Sequence, residues 1–242
     1  MAWLCKRAIS GLQYTPLEFD QPEDYGREPW MAFLEGRDLF RPAGWLSSAT
    51  QVRSTKGQLP DVFTERTHHL CNQRFKDLVE ELEPNIHFFK PILLKRKNGD
   101  KIGNHYLWTV GQDIDCVLTE GVDAFWDSEA GRMRLYRAED AARYAYKKGK
   151  PPLLRISARA TGGKHLWYGG FIGLNTEPRI FVSDEFQARW KSGKFSQLDF
   201  LCPVEEVDVA WDPVANMGPE IVKWRTREAM IANCWPKEPR RH

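Results

Sequence analysis

Two stretches of the chain place apolar and polar positions in the same order. "RIFVSDEFQARW" runs as an apolar strand to Ser183 and then changes to helical spacing, with Phe186 and Trp190 four residues apart on one face. Ser183 is placed to cap that helix, and Asp184 and Glu185 suit the positive end of its dipole. Ser192-Gly193 ends the helix, and "LDFLCPVEEVDV" is the next strand. The earlier stretch "VFTERTHHLCNQRFKDLVEEL" reads the same way. A strand leads to Thr64 as cap, and Cys71, Phe75, Leu78, Val79 and Leu82 fall on one helical face. Pro84-Asn85 stops this helix, "IHFFKPILLKRK" follows as a strand, Asn98-Gly99 turns a hairpin, and "KIGNHYLWTV" returns. Aligning Thr64 with Ser183 and Pro91 with Pro203 brings Phe88 onto Phe200, so one strand–helix–strand plan is written twice.

The flanking pattern is weaker. Short strands are expected at "RMRLYRA" and "LLRISARA", separated by a helix over "AEDAARYAYKKGK" that Gly149 terminates. Residues 1–58, rich in Pro, Gly and aromatics, predict an irregular wrap over a core, with room for a short strand or helix. "GPEIVKWRTREAMIANCW" predicts a C-terminal helix with Pro219 as its first residue. The expected fold is α+β: a single domain over 1–242, with an N-terminal wrap (1–58), a core (59–208), and a C-terminal helix and tail (209–242). Its two strand–helix–strand units are expected to share a mixed or antiparallel sheet core.

Composition narrows the function classes. Hydrophobic residues at 42% and charged residues at 28% of 242 are those of a soluble globular protein. No apolar run approaches the roughly 18 residues of a membrane span. The start "MAWLCKRAISGLQY" has its charges after the apolar stretch, unlike a signal peptide, so a cytoplasmic protein is expected. A net charge of +2 gives no electrostatic support for nucleic acid as a partner. The five cysteines (Cys5, Cys71, Cys116, Cys202, Cys234) are scattered and lack a CxxC pair, as reduced thiols do. Charge is uneven along the chain. Asp113, Asp115, Glu120, Asp123, Asp127 and Glu129 fall between Gly111 and Gly131 without a Lys or Arg. That segment is either a solvated face or a surface that steers a basic partner.

Candidate chemistry is sparse. His68 and His69 are neighbours and would point about 100° apart on a helix, so they cannot grip one metal together, and His87, His105 and His165 lack ligand spacing. "TGGKHLWYGG" lacks the strand–glycine–helix context of a phosphate loop and reads as a turn beside a strand. "GQDIDCVLTEGVDAFWD" has carboxylates but not the glycine and distal Glu of a calcium loop. No Gly-x-Ser-x-Gly elbow occurs. No catalytic residue, metal or cofactor is expected.

The doubled pattern resembles the bacterial immunity proteins of polymorphic toxin systems, and among them immunity protein family eleven, formerly a domain of unknown function. The resemblance covers roughly residues 59–208. It rests on Thr64, Phe88 to Pro91, Tyr106 to Val110, Asp115-Cys116, His165 to Tyr168, Val182 to Glu185, and Phe200 to Val204, in that order. Thr64 stands where the family carries serine, and Trp167-Tyr168 where it tends to carry Phe-Arg. The resemblance implies a cytosolic protein that binds and neutralises one toxin or effector encoded beside it, with no enzymatic activity of its own. On that reading the acidic segment supplies the contact surface, with Asp123, Asp127 and Glu129 steering and Trp126 as anchor or as core, and Trp167 and Tyr168 in reserve. Two alternatives stay open: a small-ligand or sensor module built on the aromatic segments, and a hydrolase using Asp113 and Asp115. Oligomeric state is not indicated.

Overall fold

A computed structural model of the chain describes residues 1–6, 17–19, 48–51, 59–65, 68–120, 124–127, 132–135, 146–149, 154–169, 172–173 and 180–217. In chain order its elements begin with β1 (Ala2–Lys6), β2 (Leu17–Phe19), β3 (Ser48–Gln51), β4 (Val62–Glu65), β5 (His68–Asn72), α1 (Gln73–Leu82), β6 (Phe88–Lys95) and β7 (His105–Thr109). Then come β8 (Val117–Leu118), β9 (Ala124–Asp127), β10 (Arg132–Leu135), β11 (Arg155–Ser157), α2 (Ala158–Thr161), β12 (Leu166–Tyr168) and β13 (Ile172–Gly173). The last are β14 (Ile180–Ser183), α3 (Asp184–Ser192), β15 (Asp199–Val207) and α4 (Pro213–Met217).

The strands form two six-stranded sheets, β12-β14-β1-β15-β11-β8 and β4-β5-β7-β6-β3-β2, with a small sheet β13-β10-β9 beside them. Taken in those orders the two large sheets carry the same pairings: three antiparallel, then parallel, then antiparallel. In the first, β14-α3-β15 is a split β–α–β unit with β1 lying antiparallel between its strands. In the second, β5-α1-β6 is the same unit, and β7 fills the gap. The fold is α+β, as expected, with the strand–helix–strand plan present in both halves. The units do not share a sheet, however. Each leaves a gap that a third, antiparallel strand must fill, so each organises a sheet of its own. The N-terminal expectation also changes, because β1 lies at the centre of the first sheet, with Ala2, Leu4 and Cys5 all buried.

Helix starts follow local capping chemistry. Ser183 Oγ accepts from Phe186 N at 3.1 Å. In the first half the cap is Asn72, not Thr64: its Oδ1 accepts from Phe75 N, also at 3.1 Å. Thr64 is on β4, paired with His69 of β5, so His68, His69 and Cys71 are strand residues and not helical ones. A sheet covered on both faces buries Leu70 and Cys71 alike, and that apolar run loses the alternation that would have marked it as a strand. With Asn72 as cap the halves nearly coincide: Phe88 follows its cap by 16 residues and Phe200 by 17. α1 ends at Leu82, ahead of Asn85 at φ 60°. Gly99 at φ 90° turns the β6–β7 hairpin, its N–H donating to Arg96 O while Arg96 N donates to Asp100 O. Gly149 is left-handed at φ 67°, in keeping with a helix terminator, but most of the helix expected over 138–150 and the one expected from Pro219 lie outside the described residues.

Period-two alternation sorts side chains into three apolar layers. Leu4, Phe181, Trp167 and Val204 leave the first sheet on one side. Phe63, Leu70, Leu94 and Leu107 leave the second sheet on its far side. Between the sheets lies the shared layer: Cys5, Ile180 and Val182 from one, Cys71 and Trp108 from the other, and Phe75, Val79, Phe186 and Trp190 from the two helices. The Phe75 ring meets Trp108 at 4.7 Å and Trp190 at 6.0 Å.

Candidate partner-binding surface

Polar clamps at the edges of the middle layer tie the halves together. Glu83, just past α1, is 5% exposed. Its carboxylate accepts from His87 Nε2 (2.8 Å), Gln112 Nε2 (2.8 Å), His165 N (3.1 Å) and Leu166 N (3.0 Å). Gly111 N donates to His87 Nδ1 at 3.2 Å, which fits the tautomer that donates from Nε2 to Glu83. Burial pushes the Glu83 carboxyl up, but the hydrogen bonds to the ionised form outweigh it and hold the group below its ordinary value. Asp61, also buried, accepts from Asn72 Nδ2 (2.7 Å) in its own half and from Ser196 N (2.9 Å) in the other. Arg74 reaches across to Gly193 O at 2.6 Å and stacks on Phe195 with 4.4 Å to the ring centroid. These contacts join residues of one half to residues of the other.

The interior offers little chemistry. Cys5, Cys71, Cys116 and Cys202 are buried and reduced. Burial pushes the Cys116 thiol up to about 12, and Cys5 and Cys71 are raised by the same cause. They are core thiols and not nucleophiles. Among the described residues no group of three His, Cys, Asp or Glu is placed to hold a metal. Asp113 is exposed and Asp115 half-buried. Trp108, Trp167 and Trp190 are packed within the apolar layers. No helix among the described residues is long and apolar enough to cross a membrane.

The expected contact residues separate. Trp167 is 0% exposed and Tyr168 9%, which removes both as anchors: β12 alternates between two covered faces, Trp167 stacking on Phe181 and Tyr168 facing the middle layer. Trp126 and Asp127 are on β9, whose backbone pairs antiparallel with β10. Asp123 and Glu129 lie outside the described residues.

The surface that the sequence reading passed over is the β6–β7 hairpin. α1 packs over β5 and β7, and β6 extends beyond it. Phe89 is opposite Trp108 and Pro91 opposite Tyr106, so these residues and Leu93 share the face on which α1 sits. Phe89 is half-buried, Pro91 exposed, and Leu93 38% exposed. Lys76 marks the border, its Nζ 5.6 Å from the Phe89 ring centroid and 5.8 Å from that of Tyr106. The hairpin continues through Arg96, Lys97 and Lys101, all exposed. Its one acid, Asp100, accepts from Asn98 Nδ2 at 2.7 Å. The signal was legible as "KRKNGDK", but the turn at Asn98-Gly99 drew attention from its charge.

The Immunity protein family (Imm11) matches the chain over residues 45–202, from the start of β3 into β15. A comparison with curated proteins finds no match.

Proposed function

The chain belongs to the Immunity protein family (Imm11), and from that premise we propose that it neutralises a toxin encoded beside it by binding it as a folded, stoichiometric inhibitor. The family match across residues 45–202 carries this reading. Three features support it. The two halves are cross-clamped at Glu83, Asp61 and Arg74, which gives a preshaped exterior with little ordering cost on binding. The described thiols and histidines are tied into the core or the sheets. The chain also carries charged and apolar side chains on its exterior that its own fold does not use. A cytoplasmic site of action belongs to the same proposal, as does a single domain made of both halves.

Nanomolar affinity would need a total buried area of about 1,600 Å² with a few anchoring side chains. The test is co-expression of the adjacent toxin reading frame in a bacterial host, with and without this chain. Growth arrest relieved by the chain, together with recovery of both polypeptides in one complex, is the expected result. Arrest that persists despite soluble, folded chain would overturn the proposal.

A further inference from the structure

The two halves provide an internal control. Pro91 of β6 corresponds to Pro203 of β15, and in each sheet the next parallel strand joins two residues later, β3 at Leu93 and β11 at Glu205. Leu93 and Glu205 are therefore equivalent positions on equivalent strands. Glu205 is what a solvated position calls for: a carboxylate, paired at 3.4 Å with Arg155 Nε. Leu93 is apolar at the same place and 38% exposed. The halves also differ at the end of this strand. β6 runs into the basic hairpin, whereas β15 leads on to α4. In the β15 half the cations Arg155 and Arg159 are paired with Glu205 and Asp208. Among the described residues no carboxylate pairs with Arg96, Lys97 or Lys101. Among the described residues, one half thus keeps, next to α1, an exposed apolar strip ending in cations without a carboxylate partner, where its counterpart is polar and ion-paired.

We propose that this strip, Phe89, Pro91 and Leu93 bordered by Lys76 and leading to Arg96, Lys97 and Lys101, is where the chain docks its toxin, and that the toxin's matching face is an apolar ridge flanked by carboxylates. The inference rests on the immunity reading and assigns the surface and the partner's chemistry. Exposed cations on the hairpin speed capture of an acidic face, and the apolar strip then sets the lifetime of the complex. The same chemistry disfavours nucleic acid. Leucine, proline and phenylalanine offer nothing to a phosphate backbone, and the net charge of +2 leaves the rest of the exterior balanced.

The experiment measures association and dissociation rates between the full chain and a catalytically inactivated form of the adjacent toxin, at low and high salt. Two variants carry it: Arg96→Glu/Lys97→Glu/Lys101→Glu, and Leu93→Asp. Both alter exposed positions, and unchanged thermal melting verifies that they fold. The charge variant is expected to slow association about tenfold at low salt, with the difference closing at high salt. Leu93→Asp is expected to raise the dissociation rate at least tenfold with little change in association. Rates for both variants within twofold of the parent would overturn the proposal, as would losses confined to charge reversal at Asp123, Asp127 and Glu129. Displacement of the toxin by a short DNA duplex would overturn it in favour of nucleic acid. A parent chain that fails to bind the toxin at all rejects the immunity reading, and this surface with it, a result distinct from the others.

Discussion

Glu83 is an interior carboxylate with four donors and no lysine or arginine among its hydrogen-bond partners. Two of those donors are backbone N–H groups of His165 and Leu166, at the start of β12 in the other half. Deleting the carboxylate orphans them, so Glu83→Ala is expected to cost about 3 kcal/mol or more in denaturant unfolding. Its pKa lies below the ordinary 4.5 when folded. The folded state therefore binds this proton less readily than the unfolded chain. The stabilisation is complete above about pH 4.5 and drains away as pH falls through the lower, folded value. Glu83→Gln, which has no such ionisation, is expected to be less stable at neutral pH and to show a flatter acid limb in pH-dependent melting. An unchanged acid limb would contradict this account. The caps make smaller contributions. Ser183→Ala is expected to lose about 1 kcal/mol and Asn72→Ala more, because it also removes the donor to buried Asp61, whereas Thr64→Ala, which caps nothing, should leave α1 intact by helical circular dichroism.

At the scale of elements, α1 and α3 meet through unlike contacts. Phe75 and Trp190 pack in the middle layer, while Arg189 and Glu81 pair at an exposed site. Double-mutant cycles are expected to give the aromatic pair a coupling of about 0.5–1.5 kcal/mol, and the ion pair a smaller one that falls with salt. Phe75→Ala alone should cost about 3–5 kcal/mol in chemical denaturation, a large share of a typical domain's stability. These elements also show what the chain's pattern could and could not reveal. β14, Ser183, α3 and β15 were legible because alternation, cap, dipole charges and terminator agree within one short segment. The first half misled because Leu70 and Cys71, on opposite faces of β5, are both buried, so helical spacing could be read into a strand and Thr64 stood in for Asn72. The signal for the correct cap was Asn-x-x-Phe, matching Ser183-x-x-Phe186. β1 was missed for another reason: strand pairing between residues 2–6 and residues beyond 180 is a long-range fact that no local window contains. Of the candidate contact residues, Trp167 was lost to the same two-faced burial, because an apolar aromatic on a strand looks alike whether it anchors a partner or fills a core.

For the whole molecule, two topologically equal sheets pack their helices into one shared apolar layer. The halves differ where Leu93 and the basic hairpin replace the Glu205 side of the other sheet. The central claim is that the scaffold works by occupying its target and not by transforming anything. The most direct measurement is a titration of purified toxin with purified chain, reading the residual toxin activity against molar ratio. A binding inhibitor leaves activity falling linearly to a sharp end point at a fixed, near-equimolar ratio, with all of the chain recovered in the complex. Toxin abolished by a small fraction of an equivalent of chain, at a rate set by incubation time, would mean turnover and would contradict the account.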